Sequence, residues 1–294
     1  MILASLIRNS NSASMKYRLT RVWERYYAWR QLSVSVSARY GAKFDLKLPD
    51  SIQTSIFLTG VWEKNISNLI SSALRPADIF VDIGANIGWY TIMASKLVGS
   101  TGKVFAFEAS PSIYNVLLSN LAKNNIENVH AFNIAVSDHL GSCHIYKAPV
   151  GNIGHSTIID SLATTDGHTF ENTVRCDRLP SLIDHAVLLN ARFIKIDIEG
   201  AERLAMEGVA PFLKSFSDHC EWLVELSPEF SPKGQADISW IFDQFLSAGY
   251  KAFRIENSYG HVGDLTLPQE DIAFLQIDHT PTGRLNDILF SKTR

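Results

Sequence analysis

Two acid-bearing stretches hold the residues of this 294-residue chain best placed to do chemistry. The first is Val81-Asp82-Ile83-Gly84-Ala85-Asn86-Ile87-Gly88-Trp89-Tyr90-Thr91, which follows the apolar run Ile79-Phe80-Val81. It reads as a buried strand breaking into a turn, where Gly84 and Gly88 carry no Cβ to block a ligand from the backbone. Asp82 at the strand end can accept hydrogen bonds from a ligand or hold the loop. The helix expected over Tyr90–Val98 would offer its first N–H groups. The second stretch is Ile194-Lys195-Ile196-Asp197-Ile198-Glu199, an apolar strand with two acids and a lysine within five residues. A carboxylate leaving the carboxyl edge of a parallel sheet enters the ligand crevice, which favours a role for Asp197. Glu199 points to the same side if the strand stays extended. One carboxylate could then act as a base while Lys195 keeps the other ionised, or Asp197 could bind a cofactor amine or a metal.

Spacing narrows the ligand. A dinucleotide fingerprint needs G-x-G-x-x-G, which from Gly84 puts glycines at positions holding Asn86 and Trp89. The pattern is D-x-G-x-N-x-G, and Trp89 crowds the helix start where a pyrophosphate would sit. The turn suits a cofactor without phosphate, whose carboxylate and amine rest against the loop. Lys103-Val104-Phe105-Ala106-Phe107 is an apolar strand ending in Glu108, 20 residues after Gly88. An acid at that distance accepts both ribose hydroxyls. A plain α/β unit with a surface glutamate explains either feature alone. Together, in this order, they favour an adenosyl cofactor.

The run Asp82-Ile83-Gly84-Ala85-Asn86-Ile87-Gly88 with Tyr90-Thr91 resembles the first motif of the FkbM family of S-adenosylmethionine-dependent methyltransferases. Ile194-Lys195-Ile196-Asp197-Ile198-Glu199-Gly200-Ala201-Glu202 resembles its second hallmark, and Gly60-Val61-Trp62-Glu63 looks like its glycine-aromatic-glutamate lead-in. The resemblance spans roughly Phe44 to Ile277. It implies a class I methyltransferase Rossmann-like α/β fold: a mostly parallel seven-stranded sheet with an antiparallel last strand and helices on both faces. It implies S-adenosylmethionine as cofactor, held by Asp82, Gly84, Ala85, Asn86, Gly88, Thr91 and Glu108, and usually O-methylation of a hydroxyl on a saccharide or secondary metabolite. It suggests Ala135 and Val136 near the adenine and Glu63 at the cofactor amine, the alternative for Glu63 being a helix cap or salt bridge. Gly151-Asn152-Ile153-Gly154-His155-Ser156-Thr157 resembles the family's polar loop, which could close over the acceptor. His155 would be a natural base near neutral pH, with an exposed loop histidine as the equal alternative.

Methyl transfer from a sulfonium is an in-line displacement, and a sugar hydroxyl must also lose its proton. Lys195, Asp197, Glu199 and His155 are the candidates for that chemistry. Glu202 reads as a helix start, because acids stabilise a first turn. Glu225 ends the apolar run Trp222-Leu223-Val224 and by the same edge argument faces the substrate. Asp197 and Glu225 could chelate Mg²⁺ through oxygen, yet no clear acidic pairing specifies a metal ligand set, and metal dependence stays open.

The remaining features set the frame. At 46% hydrophobic, the chain suits one large α/β domain at 44–294 behind an extension at 1–43 carrying an amphipathic helix over 15–32. That helix mixes Trp23, Tyr26, Tyr27 and Trp29 with basic residues and could meet a membrane surface or polyanion, though packing on the domain or on a second subunit is favoured. Residues 1–14 read as a structureless start in preference to a transit peptide. A net charge of −3 gives no support to nucleic-acid binding, and no apolar run spans a bilayer. Cys143, Cys176 and Cys220 lie far apart and fit buried thiols in a reducing, cytoplasmic setting. Strands alternate with helices from Ile79 to Ala248. Tyr250–Glu256 and Asp271–Ile277 then read as a closing antiparallel pair. Two rivals remain: N-methylation, disfavoured because Asp197-Ile198-Glu199-Gly200 stands where an Asn-Pro-Pro-Tyr pattern would be, and a catalytically inactive cofactor-binding protein.

Overall fold

Most strands place apolar residues on both faces, so their sheet must be covered on both sides. The computed structural model describes residues 2–10, 12–26, 31–149, 151, 153–165, 167–257, 272–282 and 286–294. The chain opens with helices α1 (Ile2–Asn9) and α2 (Ala13–Tyr26), a hairpin of β1 (Leu32–Ser37) and β2 (Lys43–Leu48), and helices α3 (Ser51–Thr59) and α4 (Lys64–Ala73). Alternating units follow: β3 (Ile79–Ile83), α5 (Trp89–Val98), β4 (Lys103–Phe107), α6 (Pro111–Lys123) and β5 (Val129–Phe132). Then come β6 (Ala135–Val136), β7 (Gly141–Lys147), α7 (Asp160–Thr165), β8 (Thr169–Asp177), α8 (Leu179–Leu182) and α9 (His185–Leu189). The last part comprises β9 (Phe193–Ile196), α10 (Glu202–Val209), β10 (Glu221–Leu226), α11 (Gln235–Ser247), β11 (Lys251–Ile255), β12 (Phe274–Ile277) and β13 (Asn286–Ser291).

The main sheet has eight strands in the order β12-β11-β13-β10-β9-β3-β4-β5. Neighbours from β10 to β5 are parallel, and β13 runs antiparallel to both β10 and β11. This is the expected seven-stranded frame with β12 added at one edge. β11 and β12 do pair antiparallel. They do not close the chain, however, because β13, absent from the sequence reading, slots between β10 and β11. Its sequence Asn-Asp-Ile-Leu-Phe-Ser has only three apolar residues, yet all six are buried. The segment between Asn257 and Ile272 lies outside the described residues, as do Tyr27, Trp29 and Asn152. β6, β7 and β8 form a separate three-stranded sheet.

Alternation along the strands fills two cores. Phe80, Ala106, Phe193, Leu223 and Leu289 pack beneath α4, α5 and α6. Val81, Phe107, Ile194, Trp222, Val224 and Phe290 pack beneath α10 and α11. Ser110 caps α6, its Oγ accepting from Ile113 N at 3.3 Å, with Pro111 in the first turn.

The start of the chain departs from expectation. Ile2–Asn9 is helical and packed: Ile7 is fully buried, and Arg8 donates to the carbonyls of Ile56 at 2.8 Å, Phe57 at 2.6 Å and Ser37 at 3.0 Å. A cation on the last carbonyls of α3 also meets the negative end of that helix dipole. The predicted helix over 15–32 ends at Tyr26, and Leu32 already begins β1. Trp23 anchors α2 with its ring 4.9 Å from Phe57. The hairpin bridges residue 43, pairing Leu32 with Leu48 and Ser37 with Lys43. No helix among the described residues is long and apolar enough to cross a membrane.

Gly84 and Gly88 both have positive φ, +86° and +92°, but the space they leave serves the fold. A Cβ at Gly84 would overlap the carbonyl of Asp197, and one at Gly88 would lie 2.6 Å from Leu117 Cδ1. Gly84→Ala should therefore destabilise by about 3 kcal/mol or prevent folding, since backbone cannot yield. Gly88→Ala should cost less, because a leucine tip can rotate away. Chemical denaturation of the two variants checks the order, and equal losses would refute it.

Candidate functional site

The carboxyl ends of β3, β4, β9 and β10 open into a cavity of about 280 Å³. Of the residues proposed from sequence, Glu63, Gly84, Ala85, Asn86, Glu108, Ala135, Val136, His155, Lys195, Asp197 and Glu199 line it. Asp82, Gly88 and Thr91 do not. Asp82 is fully buried behind the loop, where its Oδ2 accepts from Thr91 Oγ1 at 2.6 Å. The pair holds strand to helix, and the other carboxylate oxygen of Asp82, Oδ1, is buried without a hydrogen bond.

The turn itself satisfies its own donors. Gly84 N and Ala85 N both donate to Phe107 O, Gly88 N donates to Ala85 O, and Ile87 N to Asn86 Oδ1. Asn86 N donates to Glu108 Oε2 at 2.9 Å. No N–H from 84 to 88 remains for an anion, so the loop cannot serve as a phosphate cradle or seat a carboxylate on those amides. Trp89 is turned into the core, its Nε1 donating to Ser67 Oγ and its ring stacked on Phe44 at 5.5 Å. Glu108 faces the cavity with Oε1 accepting from Ser110 N and Oε2 from Asn86 N. Each carboxylate oxygen keeps a second lone pair, enough for two hydroxyl donors. Burial pushes this acid up to about 7 against those two amides. Ile113, Ile134, Ala135 and Val136 add an apolar wall beside it.

The opposite end is acidic. Lys195 is 4% exposed and donates to Asp197 Oδ2 at 2.6 Å. Burial alone would lower its pKa, but Asp197, Asp82 and Glu63 outweigh burial and hold it charged. Burial would likewise raise Asp197, yet Lys195 keeps it below the ordinary carboxylate value. Glu199 and Glu225 are pushed well above theirs, first by burial and then by Asp197. One oxygen of each of Asp197, Glu199 and Glu225 lies within 4.8 Å of the others. Lys195 already pairs with Asp197, and three close carboxyl groups do not by themselves specify Mg²⁺.

Glu63 closes this end. It sits before α4 in a left-handed conformation (φ 42°) with no capping bond from its side chain. Its carboxylate accepts from Tyr90 OH at 2.5 Å and from Asn257 Nδ2 at 3.1 Å. Asn257 also donates to Asp287 on β13. Burial, then Asp287 and Asp197, raise Glu63 to about 8. Asn257 and Asp287 escaped sequence reading because β13 gave no strand signal.

Glu199 reaches the cluster by a route other than the one expected. β9 ends at Ile196, and Glu199 (φ 52°) and Gly200 (φ 95°) turn left-handed. Glu202 holds this turn: its carboxylate accepts from Ile198 N at 3.0 Å and Gly200 N at 3.1 Å, and burial raises it to about 7. It is a backbone clamp as much as a helix start. The loop at 153–157 roofs the turn, with Thr157 Oγ1 donating to Glu199 O at 2.9 Å and His155 Nδ1 lying 3.6 Å from Glu199 Oε2. His155 packs edge-on against Phe230 at 5.6 Å. Ile52 on α3 limits the roof, 2.6 Å from where a Cβ on Gly154 would sit.

A parallel sheet with one antiparallel insertion and a ligand cavity at its carboxyl edge defines a class I methyltransferase fold. The profile of the methyltransferase FkbM domain matches residues 82–252, more than half of the chain. The chain belongs to the FkbM methyltransferase family. A curated arsenite methyltransferase from Halobacterium salinarum is 28% identical over 108 residues, 35% of this chain but only 25% of that relative. A methyltransferase FkbM structure from Methylobacillus flagellatus is 13% identical with a TM-score of 0.44, covering 98% of this chain and 56% of the other. An S-adenosylmethionine-dependent O-methyltransferase from Thermotoga maritima is 14% identical with a TM-score of 0.42, covering 94% and 82%.

The raised acids fix how stability changes with pH. Asp82, raised by burial to about 6, joins Glu108, Glu202 and Glu63 at about 7, 7 and 8. Each binds its proton more tightly folded than unfolded, so its contribution is full below pH 4 and is lost as pH rises through 6–8. Asp197 acts in the opposite sense, but only in the acid range. The ligand-free protein should be more stable at pH 6 than at pH 8.5, by about 1 kcal/mol or more. Urea titrations at the two values test this, and greater stability at the higher pH would refute the assignment.

Proposed function

We propose that this protein transfers a methyl group from S-adenosylmethionine to a hydroxyl oxygen of a saccharide or secondary metabolite. The observation that carries the reading is the cavity's polarity. At one end lies a ribose-type acceptor, Glu108, beside the apolar wall of Ile134, Ala135 and Val136. At the other lies the group formed by Lys195, Asp197, Glu199 and Glu225. The residues fit the cofactor: the oxygens of Glu108 retain capacity for two ribose hydroxyls, and the acids opposite suit an ammonium or sulfonium. S-adenosylmethionine supplies an electrophilic methyl group.

The chain's own residues supply orientation and proton removal. His155 is the proposed base, with Glu199 beside its Nδ1 to orient the ring. Tautomer and proton position are inferred from these neighbours. Asp197, held ionised by Lys195, is a weak base and serves better to fix cofactor or acceptor by charge. Asp197-Ile198-Glu199-Gly200 at the strand end disfavours N-methylation of an amide or base, because no Pro-Pro-Tyr platform is present there.

Calorimetric titration with S-adenosylmethionine should show saturable binding, and Glu108→Ala should weaken it by roughly tenfold or more. With labelled cofactor and a panel of hydroxylated sugars and polyketides, His155→Ala should lower kcat by about 10²–10⁴ while leaving cofactor affinity unchanged. Absence of cofactor binding by the wild type would sink the proposal. Parallel loss of binding and turnover in His155→Ala would remove that residue from its role.

A further inference from the structure

We propose that His168 is a positioning residue for His155, fixing the backbone from which that side chain reaches the acceptor; this role rests on the reading of His155 as the base. The short 3-10 turn Ile153–His155 ends at His155, and the last carbonyl of a helical turn must find its partner outside the turn. Here the partner is His168, whose Nε2 lies 2.8 Å from His155 O. A carbonyl can only accept, so Nε2 carries the hydrogen and Nδ1 keeps a bare lone pair. That Nδ1 is buried and has no hydrogen-bond partner. Burying a nitrogen unpaired is unfavourable, and such a group calls for a compensating role. The bond to His155 supplies one.

The rest of the roof shows why that bond matters. Before His155 the loop is held by Ser51 N donating to Gly151 O at 3.0 Å. After it, Thr157 exchanges backbone hydrogen bonds with Tyr146 at 2.9 and 3.0 Å, and its Oγ1 donates to Glu199 O. His155 lies between these anchors. Its Nδ1 is 3.6 Å from Glu199 Oε2, longer than a hydrogen bond, and its side chain is 41% exposed. A ring at that distance takes its direction from the backbone beneath it, and His168 fixes that backbone at its carbonyl. His168 directly precedes β8, whose Cys176 pairs with Ala135 on the cavity wall. The tether thus refers His155 to a strand that backs the apolar end of the same cavity. Proton removal needs the base within hydrogen-bond reach of the hydroxyl, and a misplacement of about 1 Å can cost about 10²-fold.

His168→Leu and His168→Phe remove the donor, whereas His168→Gln keeps an amide donor near the position of Nε2. The first two should lower kcat by roughly 10- to 100-fold and leave S-adenosylmethionine affinity unchanged. His168→Gln should recover most of the turnover. Combined with His155→Ala, His168→Leu should cost nothing further, because it acts through a ring already removed. Without any acceptor, the imidazole NMR signals of His155, assigned by their loss in His155→Ala, should move in His168→Leu and stay in place in His168→Gln. Wild-type turnover in both donor-free variants, equal damage from His168→Gln, unmoved His155 signals, or a full multiplicative loss in the double variant would overturn the proposal. If His155→Ala loses turnover while His168→Leu is silent, this role falls and the proposed reaction stands. Full turnover in His155→Ala would remove both residues from their roles.

Discussion

The buried ammonium of Lys195 is the constraint around which the site is built. It lies on β9 in register with Asp82 of the neighbouring β3, and it is bonded to Asp197 two residues on. Taking a charge out of water costs several kcal/mol unless opposite charge surrounds it. Here Asp82, Asp197 and Glu63 surround it, and the ring of Tyr90 lies 5.1 Å from Nζ. Those partners come from β3, the strand end after β9, the loop before α4 and the start of α5. One cation therefore draws together segments more than a hundred residues apart. It also lets so many carboxylates share a cavity, since without it the acidic end would be uncompensated.

Backbone packing sets the second condition. The carbonyl of Asp197 occupies the space a side chain at Gly84 would need, so the first turn and the β9 end lock together. Beyond that contact the chain must reverse sharply, and it does so through Glu199 and Gly200 in left-handed conformations. A non-glycine residue there is strained unless its surroundings over-determine it. Glu202 from below and Thr157 from above supply that restraint. The carboxylate of Glu199 is thereby aimed by a clamp rather than by strand pleating.

The sequence made the parallel βα units legible because continuous apolar runs alternate with helical periods, and the turn at 82–88 and the end of β4 stood out by spacing. Individual roles are less legible. Asp82, Thr91 and Gly88 look like ligand contacts in one dimension, and in the structure they lie outside the cavity lining and brace the turn, because what fills the space beside a glycine depends on strand order. β13 was invisible because half its residues are polar, and its Asp287 points into a charged network rather than a core. α1 was missed because its stability comes from Arg8 reaching carbonyls almost fifty residues away, a contact with no local signature.

The self-satisfied turn has a further consequence for recognition. With the N–H groups of 84–88 bonded internally, what the wall presents is dominated by acceptors: Glu63, Glu108, Asp197, Glu199 and Glu225, against one lysine already paired. A ligand fits such a wall by bringing donors of its own. Hydroxyls, an ammonium and a sulfonium meet that demand, whereas a pyrophosphate would face repulsion and unpaired oxygens. An adenosyl sulfonium with ribose hydroxyls and an α-ammonium is rich in what the wall lacks. The absence of the dinucleotide glycine register and the excess of carboxylates are thus two expressions of one design. The loop gives up anion binding, and the strand ends are free to concentrate negative charge where a cationic cofactor would sit.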